Sequence, residues 1–460
     1  MKSKELDMIH GPLVPTLLRF AFPVIVTGVL QILYNAADMI IVGQFGSSPN
    51  AVAAIGATSA LINLIVATFL GLSIGTNVAL AQALGRQDEK SSHEVVHSAI
   101  LLALICGAVL MFVGLRFART FLVWMGTDAE VIEQSTLYMK IYFLGMPASM
   151  LYNFGSAILR AKGDSKRPLI FLTLSGAINV AMNCIFVIFL GMAVDGVAWA
   201  TIISQYMSAT LVIIALIREK DCCKLIIKKL HLKADKTLLI LRYGVPAGLN
   251  SAMFNIANVM VQSSLNSFHV VDMVTGSASS GSIEGLAYTA MNAFNQTALT
   301  FVGQNVGAGN HKRIGKVYAT CAIISMSIGL VMGWGMYALG EPLLKLYSPD
   351  ATSAAIQYGL VRMSCILTFY FIDGLLEVQM GTIRGMGYSL VPTLISVIGV
   401  CVLRIVWIYT VFRQIYTIRA LYLCYPVTWV VSVIAMHVAY IIIRKKMQKD
   451  HDHVLLSDHV

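Results

Sequence analysis

Charge is what this sequence has least of. Of its 460 residues only 12% are Asp, Glu, Lys or Arg, while 57% belong to the set AVILMFWYC and the mean hydropathy is +0.75. An ordinary soluble domain is about 25% charged, so the shortage excludes water as the solvent for most of the chain. Lipid offers no hydrogen bonds to a bare backbone, so long apolar runs have to be helices and strands are not expected. Nothing between the polar head (Met1 to Pro12) and Val42 resembles a small-residue cleavage site, so the first run is expected to stay as a membrane helix and not to be removed as a signal peptide.

Other shortages are equally informative. Among eight cysteines there is no Cys-x-x-Cys pair: Cys106, Cys184, Cys321, Cys365, Cys401 and Cys424 sit in apolar runs and Cys222 and Cys223 are adjacent in a basic loop, so they are expected to be packing residues. The Gly-rich stretch Gly303 to Gly309 lacks the Lys and Ser/Thr of a phosphate-binding loop, so nucleotide hydrolysis is not indicated and no cofactor is expected.

What is present is a series of twelve apolar runs, near 13–43, 53–75, 94–118, 133–158, 168–190 and 194–217 in the first half and 238–265, 283–306, 314–339, 354–381, 390–412 and 419–443 in the second. If the N-terminus is cytoplasmic, most loop Lys and Arg fall on that side, including Lys162, Lys166, Arg167 and the run from Arg218 to Arg242. Only Arg116, Arg119, Lys345, Arg413 and Arg419 fall on the other. That bias predicts both termini in the cytoplasm, in a multi-pass protein of the plasma (inner) membrane, and accounts for the net charge of +10 without nucleic acid. A basic loop could also hold anionic membrane lipid.

The halves repeat. Arg160, Gly163, Ser165 and Pro168 recur as Arg384, Gly387, Ser389 and Pro392; Gln82 and Gly85 recur as Gln304 and Gly307; Pro23 and Asn35 recur as Pro246 and Asn258. The expected fold is therefore an all-α polytopic membrane protein of about twelve helices, in two six-helix lobes related by a pseudo-twofold axis along the membrane normal. The expected division is 1–217 for the N-terminal lobe, 218–236 for a basic cytoplasmic linker, 237–445 for the C-terminal lobe and 446–460 for a polar tail.

At these residues the chain resembles the multidrug and toxic compound extrusion (MATE) family. The first span carries Tyr-Asn-Ala-Ala-Asp-Met-Ile-Ile-Val-Gly (Tyr34 to Gly43), the fifth Asn179 to Phe186, and the sixth Gly196 to Thr201. The resemblance implies export of bulky, often cationic organic compounds in exchange for H⁺ or Na⁺, by rocking of the two lobes. It also implies an N-lobe cation site at Asp38, Asn179, Asn183 and Thr201, with one departure: a second carboxylate often stands where this chain has Asn183.

The residues support that site independently. At about 1.5 Å of rise per residue, Asp38 and Asn183 lie roughly 12 Å and Thr201 roughly 9 Å below the outer turns, and Asn179 is one turn deeper. Oxygen ligands suit a hard cation such as Na⁺, and a dry carboxylate could equally take a proton; the same groups could instead form an interhelical hydrogen-bond cluster. In the other lobe, Asp373, Glu377 and Arg404 form a C-lobe polar site. Asp373 and Arg404 fall at matching depth, so an ion pair between them is expected as an alternative to an ion-carrying acid. Polar stripes mark a possible substrate wall: Gln31, Tyr34 and Asn35 in the first span, Asn255, Asn258 and Gln262 in the seventh, Asn292 and Gln296 in the eighth. His437, alone in the last span, is expected to be a hydrogen-bonded packing residue.

Two other functions compete. A flippase for a lipid-linked precursor needs a strongly cationic cavity, whereas buried Lys and Arg are nearly absent apart from Arg404. An intramembrane enzyme is disfavoured because neither Asp38 nor Asp373 has the Gly-x-Gly-Asp context and a tandem repeat has no role in that chemistry. The expectation is thus a non-enzymatic transporter of small organic substrates, acting as a monomer.

Overall fold

The computed structural model describes residues 6–48, 50–348 and 351–457, and within them there are helices and no strands. The first half forms α1 (Leu13–Phe45), α2 (Ala51–Gly85), α3 (Glu89–Trp124), α4 (Ile132–Leu144), α5 (Met146–Ala161), α6 (Lys166–Asn183) and α7 (Val194–Ile217). The second forms α8 (Ala234–Asn266), α9 (Val271–Gly307), α10 (His311–Ala338), the short α11 (Gly340–Tyr347), α12 (Ser353–Ile366), α13 (Tyr370–Gly385), α14 (Leu390–Ser396), α15 (Leu403–Trp407), α16 (Ile418–Tyr422) and α17 (Cys424–Ser457). Joining α4 to α5, α12 to α13, α14 to α15 and α16 to α17 gives twelve spans. The last three residues of the expected polar tail lie outside the described residues.

Among the described residues nine helical stretches are long and apolar enough to cross a membrane. The remaining three are α8, α9 and the pair α4–α5, which breaks at Gly145. These three are more polar, and α8 and α9 carry the stripes of Asn and Gln. The core is mostly apolar, yet the outside is apolar too: Phe22, Phe112, Val331 and Ile434 are 60–72% exposed, while Asn183, Thr300 and Asn305 are fully enclosed. Apolar side chains face lipid at no cost, and polar groups must find partners inside.

The chain forms two compact units. One contains Val26–Gly248; the other is made of Asp7–Ile25 with the described residues from Leu249 onward. Both boundaries fall two residues after a proline within a helix, Pro23 in α1 and Pro246 in α8. Proline removes one helical hydrogen bond and crowds the preceding turn, which makes each site a natural place for a helix to change neighbours. The start of the chain is fastened into the second unit: Asn305 Nδ2 and Arg313 Nε donate to the carbonyl of Met8 at 3.1 and 3.2 Å, and Phe20 meets Phe301 edge-on at 5.6 Å.

The duplication is visible in backbone detail. The turn after α2 uses Gln87 at φ 56° and caps α3 with Asp88, which accepts from Ser91 N. The turn after α9 uses Gly309 at φ 67° and caps α10 with Asn310, which accepts from Arg313 N. Gly163 and Gly387, the repeated glycines, hold φ 94° and 90°, a region where a side chain is strained. Within the first unit α2 and the start of α8 meet backbone to backbone: a Cβ on Gly71 would lie 2.1 Å from Gly248 N, and one on Gly248 would lie 2.0 Å from Thr68 O. Small residues four apart on both helices allow that approach, the usual device for joining helices in lipid.

Several charges within the units are paired. In the second, Arg362 forks onto Glu284 at 2.9 and 2.7 Å and donates to Ser277 at 2.7 Å. In the first, Lys162 is bound by Glu219 at 2.7 Å and by Asp221, and Arg167 by Asp164 and Glu219, so residues counted as bare loop charge are largely neutralised. The linker is docked on α3, where Ile226 N donates to His97 Nε2 at 3.1 Å and Lys233 N to Ser98 Oγ at 3.1 Å. In that linker the Asp221 carboxylate and the thiols of Cys222 and Cys223 lie within 4.8 Å of one another. Cys222 is therefore more than a packing residue: a hydrogen bond from the Cys223 thiol brings its own down to about 7, against the opposing effect of partial burial, while Cys223 is pushed well up.

Two predictions follow from these charges and thiols. Replacing Arg362 by Met leaves Glu284 buried without a partner and should cost on the order of 3–5 kcal/mol, whereas Arg362→Met with Glu284→Gln should recover most of it; unfolding midpoints in detergent for the two single variants and the double decide this, and simple addition of the losses would contradict it. Because the thiolate is the nucleophile, alkylation of Cys222 should rise with pH with a midpoint near pH 7 and level off above about pH 8, with Cys223 lagging; peptide mass spectrometry after timed iodoacetamide pulses measures both, and a Cys222 rate still climbing steeply above pH 8.5 would contradict it.

Candidate functional site

The first unit brings together three of the four residues expected to form its cation site. Asn179 and Asn183 lie one turn apart on α6 and face α1, where Asn183 Nδ2 donates to Asp38 Oδ1 at 2.5 Å and to Asn179 Oδ1 at 3.3 Å. Asn183 is fully enclosed and Asn179 nearly so. Immediately after Asn183 the helix widens into a π-turn over Cys184–Phe189, the kind of local irregularity that often accompanies a site. Thr201 does not join the cluster: its hydroxyl donates at 2.9 Å to Val197 O on its own helix, the local alternative always open to Thr.

No cationic side chain pairs with Asp38 among the described residues. The side-chain oxygen of Asn183 is buried with no donor facing it. An acceptor left bare beside a carboxylate suits a proton or a cation, and the residues present fit either: Asp38, Asn179 and Asn183 would hold the ion and Thr201 would have to turn. Tyr138 and Tyr142 of α4 lie close enough to feel the Asp38 charge. They were not read from the sequence because they sit in a span judged by hydropathy alone. Tyr34 packs its ring on Gly176, where a Cβ would come within 2.0 Å of it, so it joins α1 to α6; Gln31 and Asn35 are exposed on α1.

The second unit holds a cavity of about 480 Å³. Asn255, Asn258 and Gln262 of α8 line it as the stripe suggested, together with Asp373 and Glu377 of α13 and Arg404 of α15. Asn292 and Gln296 do not line it; they bond to each other at 3.0 Å on α9. Glu377 accepts from Asn295 Nδ2 at 2.6 Å, while Asp373 Oδ2 is buried without a partner.

The ion pair expected between Asp373 and Arg404 does not form as a contact. Arg404 Nη1 donates to Asn258 Oδ1 at 3.2 Å and the guanidinium lies 4.0 Å from the centre of the Tyr425 ring. The depth estimate placed both residues at one level but assumed a straight α-helix. Two π-turns, Val397–Val402 and Ile408–Phe412, flank Arg404 and shift the direction in which it points. His437 shares a 3.2 Å hydrogen bond with the Tyr318 hydroxyl.

Two features escaped the sequence reading. Glu284 and Arg362 also line the cavity; the signal was one acid and one base inside neighbouring apolar runs of the second half. The string His93-Glu94-Val95-Val96-His97 has the spacing of a zinc-protease helix. The structure gives it another use, because His97 spends one nitrogen on His93 O at 2.8 Å and the other on Ile226 N, and Glu94 faces Lys233 at 3.7 Å. It anchors the linker.

The chain resembles known transporters along nearly its whole length. It is 28% identical over 443 residues to a probable multidrug resistance protein, YoeA of Bacillus subtilis, covering 93% of this chain and 94% of that one. A protein named as an FAD transporter in Shewanella oneidensis is 24% identical over 363 residues, 76% of this chain and 77% of that one. A solved structure of a MOP superfamily transporter from Pyrococcus furiosus superposes with a TM-score of 0.88 at 21% identity, covering 97% and 99% of the two chains, which shows a common fold. The family model MatE matches twice, over residues 23–185 and 246–410, with starts 223 residues apart at the two helix prolines. Two copies of one family module, one in each half and together spanning most of the sequence, establish that the chain belongs to the multidrug and toxic compound extrusion (MatE) family of membrane transporters.

Proposed function

We propose that this protein exports small amphipathic organic compounds by ion-coupled alternating access, exchanging them for H⁺, or for Na⁺ as the second possibility, with Asp38 as the coupling group. The observation that carries this reading is the isolation of Asp38. It is mostly enclosed, is held by Asn183 and has no cationic partner among the described residues. A carboxylate in that setting has to bind a proton or a metal cation whenever water is excluded. Proton coupling is placed first because the group next to Asp38 is an amide donating N–H to it, where a second carboxylate would serve Na⁺ better.

The mechanism follows from the geometry. Asp38 lies on the same helix as Pro23 and is tied to α6 through Asn183, just before the π-turn. Loading Asp38 weakens the pull of the Asn183 amide and lets α1 repack; release restores the bond and resets the helix. Since a coupling ion can bias the two states only by its differential affinity for them, the group that changes partner between them is the one that transmits the gradient. The names borne by relatives, multidrug resistance and FAD transport, support bulky, partly aromatic substrates. The basic loops support a plasma membrane location with both termini cytoplasmic, and the protein is proposed to act as a monomer without a cofactor. The flippase reading is weaker, because of the two arginines lining the second unit's cavity one is fully paired with Glu284.

Asp38→Asn should preserve the fold and ligand binding and reduce gradient-driven efflux by at least about tenfold, because it can neither gain nor lose a proton. Proteoliposomes with imposed pH and Na⁺ gradients varied separately measure this and name the ion; efflux at the parental rate would move the coupling acid to Asp373 or Glu377. For orientation, a cysteine at Lys229 should react with an impermeant maleimide only when the reagent is inside the vesicle or cell, and labelling from outside would reverse the topology.

A further inference from the structure

We infer that the cavity of the second unit recognises an aromatic compound bearing an acidic group, a carboxylate, sulfonate or phosphate, and that Arg404 is the residue that recognises the acid. This rests on the export reading above for its purpose, but binding alone tests it.

The two arginines lining the cavity differ in what they already hold. Arg362 is saturated by Glu284, which takes two of its N–H groups, and by Ser277. Arg404 is 2% exposed, yet its one hydrogen bond is to the neutral oxygen of Asn258, its Nε has no partner, and no carboxylate pairs with it among the described residues. A buried cation with no counter-ion is costly, and a guanidinium presents a planar fork that matches carboxylate and phosphate oxygens better than any other side chain.

The acids of the cavity do not supply that partner. Glu377 is held by Asn295, and Asp373, which shares the cavity with Arg404 and feels its charge, leaves Oδ2 bare and forms no hydrogen bond or ion pair with it among the described residues. Direct contact with an acidic group is therefore what the guanidinium lacks, in a space of about 480 Å³ that falls in the usual range for a small-molecule site. Its walls suit a ring. Tyr425 lies under the Arg404 guanidinium, and Trp429 meets Tyr425 and Tyr370 edge-on at 6.0 and 5.6 Å. A ligand ring can stack in the same assembly while its acidic group reaches Arg404. A simple lipophilic cation would meet the Arg404 charge instead, and Asp373 is the group that competes with an incoming anion.

The test uses the full-length protein in nanodiscs with two probes that share one ring and differ in sign, 2-naphthoate and 2-naphthylmethylammonium, with calorimetry as the readout. Naphthoate should bind at least about tenfold more tightly than the ammonium. Arg404→Gln should remove that preference, Arg404→Lys should keep part of it, and Asp373→Asn should tighten naphthoate. Equal affinity of the parent for both probes, tighter binding of the ammonium, or unchanged naphthoate binding in Arg404→Gln would each overturn the assignment. Should Arg404→Gln fail to fold, the parent's two affinities and the Asp373→Asn shift still decide. The outcome is separable from the transport reading: loss of efflux in Asp38→Asn with no anion preference sinks only the substrate class, and an anion preference with efflux intact in Asp38→Asn sinks only the coupling assignment.

Discussion

A charge that has been taken out of water and given no opposite charge dominates each unit of this protein. In the first it is Asp38, an acid with an amide for company. In the second it is Arg404, a base whose neighbours are an amide oxygen and an aromatic ring. Several other buried charges are matched, Glu284 with Arg362, Lys162 with Glu219 and Asp221, Arg167 with Asp164 and Glu219, while Arg384 and Asp373 are buried with polar atoms left bare. Lipid enforces that matching, because an isolated ion costs several kcal/mol even after relaxation. On the functional reading proposed above, Asp38 and Arg404 are the places where an ion and a ligand that come and go would supply the missing contact.

The remaining architecture joins the helices within each unit. Backbone-to-backbone contact ties α2 to the start of α8 through Gly71 and Gly248, and Asp88 and Asn310 start α3 and α10 by accepting from Ser91 N and Arg313 N. Exposed Phe, Val and Ile face the lipid. Irregularity is concentrated where the charges are: a π-turn follows Asn183 and two flank Arg404. A π-turn has weaker internal bonding than the helix around it, so it is also where a helix adjusts at least cost.

The fold was legible because lipid makes hydropathy a strong signal and because duplication leaves matching punctuation, Pro23 with Pro246 and Gly163 with Gly387, at one spacing. The trio Asp38, Asn179 and Asn183 was legible for a related reason: rise per residue gives depth, and depth narrows the choice of partner. Depth says nothing about direction around the helix axis. Thr201 sits at nearly the right level and turns to its own backbone, and Arg404 sits level with Asp373 and points to Asn258 and Tyr425. Glu284 and Arg362 were missed because a pairing across two helices cannot be seen in either one. His93 to His97 was also missed, a string with the spacing of a metal site in which the ring nitrogens of His97 instead hold up a loop.

The division of α1 at Pro23 has a consequence for how the protein is made. Asp7–Ile25 leaves the ribosome well before its partners, Phe301, Asn305 and Arg313, which are encoded almost three hundred codons later. At about 5–20 residues per second, the opening segment waits on the order of 15–60 s in the bilayer before its own unit exists. The first unit can close around Val26 and beyond during that interval. The second cannot be completed by its own half of the gene, so a transcript cut between the halves would leave it without Asp7–Ile25.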